Sequence, residues 1–538
     1  MADTTPLLPP RPSNTRQPYA SLPQAEAAPS ATASLDDVIE NCVGSIGSAQ
    51  LIQAFLASFA WVFDAQQMFI NVFTDAAPSW HCTGPGADAS GACSLLPNPC
   101  GLPAGTWAWD RLPHVSIISE WNLECAGPSV TSLPASAYFI GCLVGGFALA
   151  TLADSTLGRK KMLFISSLGM ALAGLLTAAS PNVWVYAALR FVGGFTRATI
   201  GTSALVLPTE LVGKRWRGEV GIIGFFCFTL GFVSLPGLAY FNKNNSWRAL
   251  YLWTSAPSLF YSVLVYFFVR ESPRWLLLRG RRGEAIDILK DIAAFNGRDL
   301  PPSSFSGLDV FVGKEGKGNN SVGMYSTLRM LLEKRWALWR LVAVMAATFG
   351  VGLVYVGMPL AVGTLGYDLY LSVALNALSE FPAALITFFL IGRINRRAAF
   401  LGFALTSGAC SVACVFLRGV EARLGAEVLS FFCACTACDV VLIYVLELFP
   451  TCVRNLAVSM ARQALTLGGV FAPPLVAAAR WGDGALVPFG VFGMVIVACG
   501  LSAVSLPETR GRGISDTLEE QESKDKAAAA AVAGGGDC

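Results

Sequence analysis

The sequence predicts an all-α polytopic membrane protein with 12 transmembrane helices in two six-helix halves. Three observations carry that reading. Of 538 residues, 54% are hydrophobic and 14% charged, against about 25% charged in soluble domains, which is too little polar surface to coat a soluble core. Apolar runs long enough to cross a bilayer of about 30 Å fall in two sets of six. Charged motifs between the runs recur at a fixed offset.

Taken in order, residues 1–46 are rich in Pro, Ser, Ala and Thr and lack an apolar run, so they read as a disordered cytosolic tail and not a signal peptide. The first half, 47–269, has runs near 47–73, 132–153, 162–180, 183–207, 219–240 and 249–269, hereafter spans 1 to 6. A polar segment at 74–131 separates spans 1 and 2, and a central loop covers 270–336. Its stretch "GRRGEAIDILKDIAAF" reads as an amphipathic helix. The second half, 337–506, has runs near 337–361, 368–391, 398–417, 425–447, 456–478 and 486–506, spans 7 to 12, and 507–538 forms a low-complexity tail.

Basic residues set the orientation. Arg159, Lys160 and Lys161, then Lys214, Arg215 and Arg217, then Arg270 to Arg282, then Arg393, Arg396 and Arg397 all fall on one side of the alternation. By the positive-inside rule that side is cytoplasmic, as are both tails and the central loop. The 74–131 loop then lies outside or in a lumen, where Cys82, Cys93, Cys100 and Cys125 are candidates for two disulfides of open connectivity. Asn244 in "NNS" is a glycosylation candidate on that same side. Asp3, Leu7 and Leu8 match an acidic dileucine sorting signal, which keeps a vacuolar or endomembrane location beside the plasma membrane.

The repeat is explicit. Glu210 and Arg217 after span 4 recur as Glu447 and Arg454 after span 10, and Glu271 after span 6 recurs as Glu508 after span 12, each 237 residues on. Two halves with matching charged motifs indicate a transporter that rocks around a central site. No G-x-x-x-x-G-K-[ST] loop appears, which argues against ATP-driven transport, and net charge of +2 gives no sign of nucleic acid. The only histidines, His81 and His114, share the cysteine loop, so histidine-based metal or acid–base chemistry has little support; no cofactor or metal is implied.

A charge at the centre of a membrane helix costs at least about 2.5 kcal/mol, so each one marks a partner or a watery cavity. In span 1, Asp64, Gln67 and Asn71 lie at i, i+3 and i+7 on one face. Span 4 carries Arg190 and Arg197, with Gly193 and Gly194 between them leaving room for a close neighbour. Pairing across spans 1 and 4 relieves both charges. Span 8 carries Asn376 and Glu380, and span 10 carries Asp439, which reads equally as a helix-packing hydrogen bond. Tyr355 and Tyr444 offer aromatic faces for an ammonium group, or simply pack.

These motifs resemble the major facilitator superfamily. Its loop pattern G-x-x-x-D-x-x-G-R-[RK] is nearly met by Asp154, Gly158, Arg159 and Lys160, with Ala150 in place of the first glycine. Within it, "SEWNLEC", "ESPRWLLLRGRRGEA", "LNALSEFPA" and "ELFPTCVRNLAVSM" resemble the organic cation and carnitine transporter family, and "FAWVFDAQQ" and "ARQALTLGG" its plant branch. The resemblance implies a secondary-active or facilitative carrier of small organic cations or zwitterions such as carnitine, working by alternating access, with the proton as the expected coupling partner. It implies that Asp64 pairs with Arg190, the arginine opening the R-x-x-x-G motif, as a proton-coupled gate, with Arg197 as the alternative partner and a static link between spans 1 and 4 as the alternative role, and that Glu380 holds the cation. Arg197 is then available to a substrate carboxylate. Asp154, Gly158, Arg159, Glu210 with Arg217, and Glu447 with Arg454 become the cytoplasmic gate. The family's charged position in span 11 is occupied by Thr466, with Arg462 one turn earlier, so a zwitterion fits as well as a cation. A sugar or other organic solute symporter, and a transport-dead membrane sensor, are the competing readings.

Overall fold

The computed structural model describes residues 39–83, 99–103, 105–152, 157–298, 324–390, 393–481, 484–510 and 515–534. A helix occupies every position at which the sequence predicts a span. Span 1 is built from three successive segments, Ser48–Ser58, Ala60–Phe69 and Asn71–Thr74. Spans 2 and 3 are Pro128–Leu152 and Arg159–Ala178, and span 4 is split into Val183–Arg197 and Ile200–Thr209. Spans 5 and 6 are Arg217–Phe241 and Trp247–Phe268. The second half runs Arg335–Ala361, Leu369–Leu390, Arg396–Phe416, Val420–Leu448, Thr451–Trp481 and Val487–Gly500, the last extended by a turn of 3-10 helix.

Eight of these helices are long and apolar enough to cross a membrane on length and composition alone. The other four fall short in two ways, spans 1 and 4 because each is broken into shorter segments and spans 6 and 11 because long helices there carry polar residues. Spans 1 and 4 are interrupted beside their polar residues; span 6 buries Thr254, Ser255, Ser258 and Ser262; span 11 carries Arg462, Gln463, Pro473 and Pro474. Inward-facing polar groups lower the hydropathy of a helix without exposing anything polar to lipid. The outer faces supply the apolar belt instead, with Phe241, Phe267, Phe389 and Phe416 all exposed.

The halves meet chiefly where span 2 packs on span 11 and span 5 on span 8, with a smaller contact between spans 1 and 7. Within the halves, span 2 packs on span 4 as span 8 packs on span 10, and span 3 on span 6 as span 9 on span 12. The close approach of spans 2 and 4 requires Gly194, where a Cβ would stand 1.9 Å from the carbonyl oxygen of Tyr138. Gly193 has no such role; its Cβ would meet only Ala173, at 3.7 Å.

At the cysteine-loop end, Trp80–Cys82 and Trp107–Trp109 form an antiparallel hairpin with Trp80 opposite Trp109. A disulfide joins Cys100 to Cys125, and Cys82 is also disulfide-bonded. Cys93 lies outside the described residues. At the opposite, basic end, the amphipathic stretch forms helix Arg282–Phe295, whose Ala285, Leu289 and Ile292 pack with Trp275, Leu276 and Leu277.

Both tails are more structured than their composition predicts. Ile39–Gly44 is helical, Ile39 is buried, and the Glu40 carboxylate accepts from the backbone N–H of Lys214 at 2.9 Å. Residues Leu518–Gly534 form a helix laced by Glu520–Lys524 and Glu522–Lys526 pairs. It docks on span 7 through Asp525 to Arg340 at 2.6 Å and Glu522 to Lys334 at 3.1 Å. Alanine and i,i+4 ion pairs are strong helix formers, which outweighs low complexity there.

Candidate transport site between the two halves

The polar stripe of span 1 is buried along its length: Asp64 is 0% exposed, and Gln67 and Asn71 are each 3%. Its partner is span 4, which runs antiparallel to it. The expected Asp64–Arg190 pair does not form. Arg197 instead grips Asp64 in a fork, Nε to Oδ1 and Nη2 to Oδ2 both at 2.5 Å. Arg190 Nη2 donates to the Gln67 carbonyl at 3.0 Å and to Asn71 Oδ1, and its guanidinium lies 4.1 Å from the centre of the Tyr138 ring.

Register explains the correction. Asp64 and Asn71 are seven residues apart on span 1, and Arg190 and Arg197 seven apart on span 4. Seven residues are about two helical turns. Two antiparallel stripes of equal length must match end to end, so Arg197 meets Asp64 and Arg190 meets Asn71. Arg197 is therefore already committed to a protein carboxylate.

In the second half, Glu380 is held by the Tyr355 hydroxyl at 2.6 Å and by Thr229 of span 5 at 3.5 Å, so its carboxylate sits on the seam between the halves. Tyr355 stacks on Phe431 with centroids 5.6 Å apart, and Phe69 approaches Tyr355 at 5.9 Å while stacking on Phe232 at 4.0 Å. Among the described residues, no Lys or Arg forms an ion pair with Glu380 or Asp439. Arg462 projects across the seam, with Nη2 3.7 Å from where a Cβ on Gly201 of span 4 would be. Among the described residues its guanidinium makes no hydrogen bond or ion pair. The centre thus brings a carboxylate and a guanidinium, neither in an ion pair among the described residues, beside an aromatic cluster drawn from spans 1, 5, 7 and 10.

Three other predicted residues face elsewhere. Asn376 donates to Glu427 of span 10 at 2.9 Å, Tyr444 donates its hydroxyl to the Pro507 carbonyl at 2.5 Å, and the Thr466 hydroxyl bonds the Arg462 carbonyl at 3.0 Å. A helical position sets the face a side chain leaves from, and these three take the nearest partner on that face.

The comparisons with known proteins agree with this architecture. The family model described as "Sugar (and other) transporter" matches residues 113–523. "Organic cation/carnitine transporter 2" of Arabidopsis thaliana is 55% identical over 511 residues, 93% of this chain and 96% of the relative. The chain belongs to the organic cation/carnitine transporter family. "Solute carrier family 22 member 3" of Rattus norvegicus is 32% identical, over 79% of this chain and 74% of the relative. Among solved structures, that of the proton:xylose symporter XylE bound to 6-bromo-6-deoxy-D-glucose aligns at TM-score 0.58 with 18% identity, covering 88% of this chain and 98% of that one. That likeness fixes the major facilitator fold. The chain is accordingly a multi-pass membrane protein of a transporter family.

In this member of the family the basic end shows the repeat as matched capping. Glu271 accepts from the backbone N–H groups of Arg159 and Lys160, and Glu508 does the same for Arg396 and Arg397. A carboxylate at a helix N-terminus satisfies orphan donors and opposes the helix dipole. Gly158 precedes the first cap at φ 83°, and a Cβ there would stand 2.4 Å from Glu271. The expected Glu447–Arg454 pair is replaced: Glu447 binds Arg396 at 2.9 Å, while Arg454 turns to the Phe449 carbonyl at 3.2 Å. Arg217 likewise donates to the Thr209 carbonyl at 3.2 Å, and Glu210 Oε2 is buried without a hydrogen bond. An arginine seven residues past a helix-ending glutamate lies on the next helix, where the preceding carbonyls are closer. Asn244 is exposed in the turn between spans 5 and 6. Asp154, Asp3, Leu7 and Leu8 lie outside the described residues.

Sequence reasoning missed Asp75, which takes hydrogen bonds from Tyr186 and Thr74, each at 2.8 Å, and from Asn71. It also missed Glu120, which holds Trp247 and Arg248. Asp75 falls just beyond the predicted end of span 1 and Glu120 within the 74–131 loop, where an acidic residue reads as ordinary loop.

Proposed function

We propose that the chain carries small organic cations or zwitterions such as carnitine across its membrane by alternating access, driven by protons. The halves 47–269 and 337–506 would rock about the seam, with the basic end in the cytosol. The observation that carries this reading is Glu380, an uncompensated carboxylate on the seam beside Tyr355, Phe431 and Phe69. A carboxylate with aromatic faces suits an ammonium group. Arg462 supplies the opposite charge that a zwitterion's carboxylate requires. The Asp64–Arg197 pair is the coupling element: a proton on Asp64 discharges the pair and frees the two spans to part.

The decisive experiment is uptake of labelled carnitine and tetraethylammonium into proteoliposomes of the full chain, with and without an imposed proton gradient. Saturable uptake of at least one, stimulated by the gradient, is expected. No saturable uptake of either compound refutes the substrate class, and gradient-independent uptake refutes the coupling. The location, vacuolar or plasma membrane, is read by imaging the full chain with the Leu7 and Leu8 pair intact and replaced by alanine.

A further inference from the structure

A cavity lies away from Glu380, Asp64 and Arg462. It occupies about 610 Å³ at the cysteine-loop end, bounded by the ends of spans 1, 2, 7 and 11 and by the Trp80–Trp109 pair of the hairpin. Volumes of about 300–1,000 Å³ are those of small-molecule sites. Its polar lining includes Asn71, Asp75, Glu124 and Arg480.

Two of these groups have unmet valence. Glu124 Oε2 is buried and accepts no hydrogen bond. Arg480 makes one long hydrogen bond, to the Leu360 carbonyl at 3.4 Å, and no ion pair among the described residues. Among the described residues, a buried carboxylate oxygen without a donor and a guanidinium without a directly bonded anion, which Asp75 of the same cavity acts on only at longer range, are each costly, and they are costly in opposite senses. Asp75 differs, because Tyr186, Thr74 and Asn71 already satisfy it.

A simple cation entering this space would satisfy Glu124 and leave Arg480 as it is; an anion would do the reverse. A molecule bearing both charges relieves both. We infer that the cavity is a capture site for small zwitterions, with the ligand's carboxylate on Arg480 and its ammonium against Glu124 and the indoles of Trp80 and Trp109. It would concentrate ligand ahead of the seam. The inference rests on the reading of the chain as a carrier of such molecules.

Carnitine and tetraethylammonium binding to the purified full chain, together with their uptake into proteoliposomes, tests it with Arg480→Gln, Arg480→Lys and Glu124→Gln. Losing a charge-assisted contact costs about tenfold in affinity or more. Arg480→Gln is expected to raise the KM and Kd for carnitine by about that factor, to leave those for tetraethylammonium unchanged, and to leave kcat for both within about twofold. Arg480→Lys should recover part of the carnitine affinity, which a misfolded variant cannot do. Glu124→Gln should weaken both ligands. Equal effects of Arg480→Gln on the two ligands, or no effect of either neutral variant, overturn the assignment. The binding arm keeps the tests separate: a wild-type chain that binds carnitine through Arg480 yet transports nothing refutes the transport reading alone.

Discussion

Replacing Asp64 by asparagine keeps the shape of the side chain and removes its charge. The structure allows the consequence to be worked out. Asp64 is fully enclosed and the Arg197 side chain is 17% exposed, joined by two contacts of 2.5 Å. Stripping one partner from a buried pair costs about 3–5 kcal/mol, because the other charge is left in a low-dielectric site. Arg197 keeps some exposure, so Asp64→Asn should lie at the lower end, about 3 kcal/mol. Arg197→Gln strands the fully enclosed partner and should cost at least as much. The double variant strands neither, and its apparent stability should return most of the way to wild type. The same cycle run with Arg190→Gln should show no recovery, because Arg190 bonds Gln67 and Asn71 and not Asp64. Apparent melting temperatures of the four purified proteins give the ranking. Gradient-driven uptake supplies the functional arm: Asp64→Asn should abolish stimulation by a proton gradient while substrate exchange continues. Full gradient dependence in Asp64→Asn sinks the coupling role, and rescue by Arg190→Gln in place of Arg197→Gln sinks the register.

Three further outcomes follow from single contacts. Glu380→Gln should reduce tetraethylammonium uptake by tenfold or more, about 1.4 kcal/mol, read as a change in KM; undiminished affinity removes Glu380 from the site. Gly194→Ala drives a methyl into the Tyr138 carbonyl and should cost about 1–3 kcal/mol by thermal unfolding, whereas Gly193→Ala, whose methyl would meet Ala173 at an ordinary contact distance of 3.7 Å, should be neutral; equal effects contradict the packing of spans 2 and 4. Glu271→Ala and Glu508→Ala remove equivalent caps, each worth about 1–2 kcal/mol, and a marked difference between their melting temperatures would show that the two are not equivalent.

The fold was legible because the bilayer imposes it. Apolar runs of fixed length report spans whatever the detailed packing, and the helices fall on all the predicted runs. Within the candidate site, the need of Asp64, Arg190, Arg197 and Glu380 for partners was legible, because any charge inside a span needs a reason. Their pairing was less so. Nothing local distinguishes Arg190 from Arg197 as the mate of Asp64; antiparallel register does, once both seven-residue stripes are laid side by side. Glu427 escaped notice because it lies near the start of span 10, where composition resembles a loop, yet it is fully buried against Asn376. The tail helix was hidden for another reason. Low complexity describes sequence diversity and not helix propensity, and Asp525 acquires a partner only when Arg340 is brought to it.

The two halves share their scaffold and differ in how charge is handled. At the basic end they are copies: Glu271 with the start of span 3 and Glu508 with the start of span 9 make the same capping bonds. In the middle they part. The first half answers its carboxylate internally, Asp64 by Arg197, and its second arginine by Asn71 and Gln67. The second half leaves Glu380 and Arg462 facing the seam without ionic partners among the described residues. A paired charge is suited to storing and releasing a proton, since titrating one member changes how strongly two helices hold each other. An unpaired charge is suited to a ligand, since the ligand removes a cost that the empty site bears. On the proposed function, a division of labour between coupling in one half and recognition in the other would follow from which charges the fold itself neutralises.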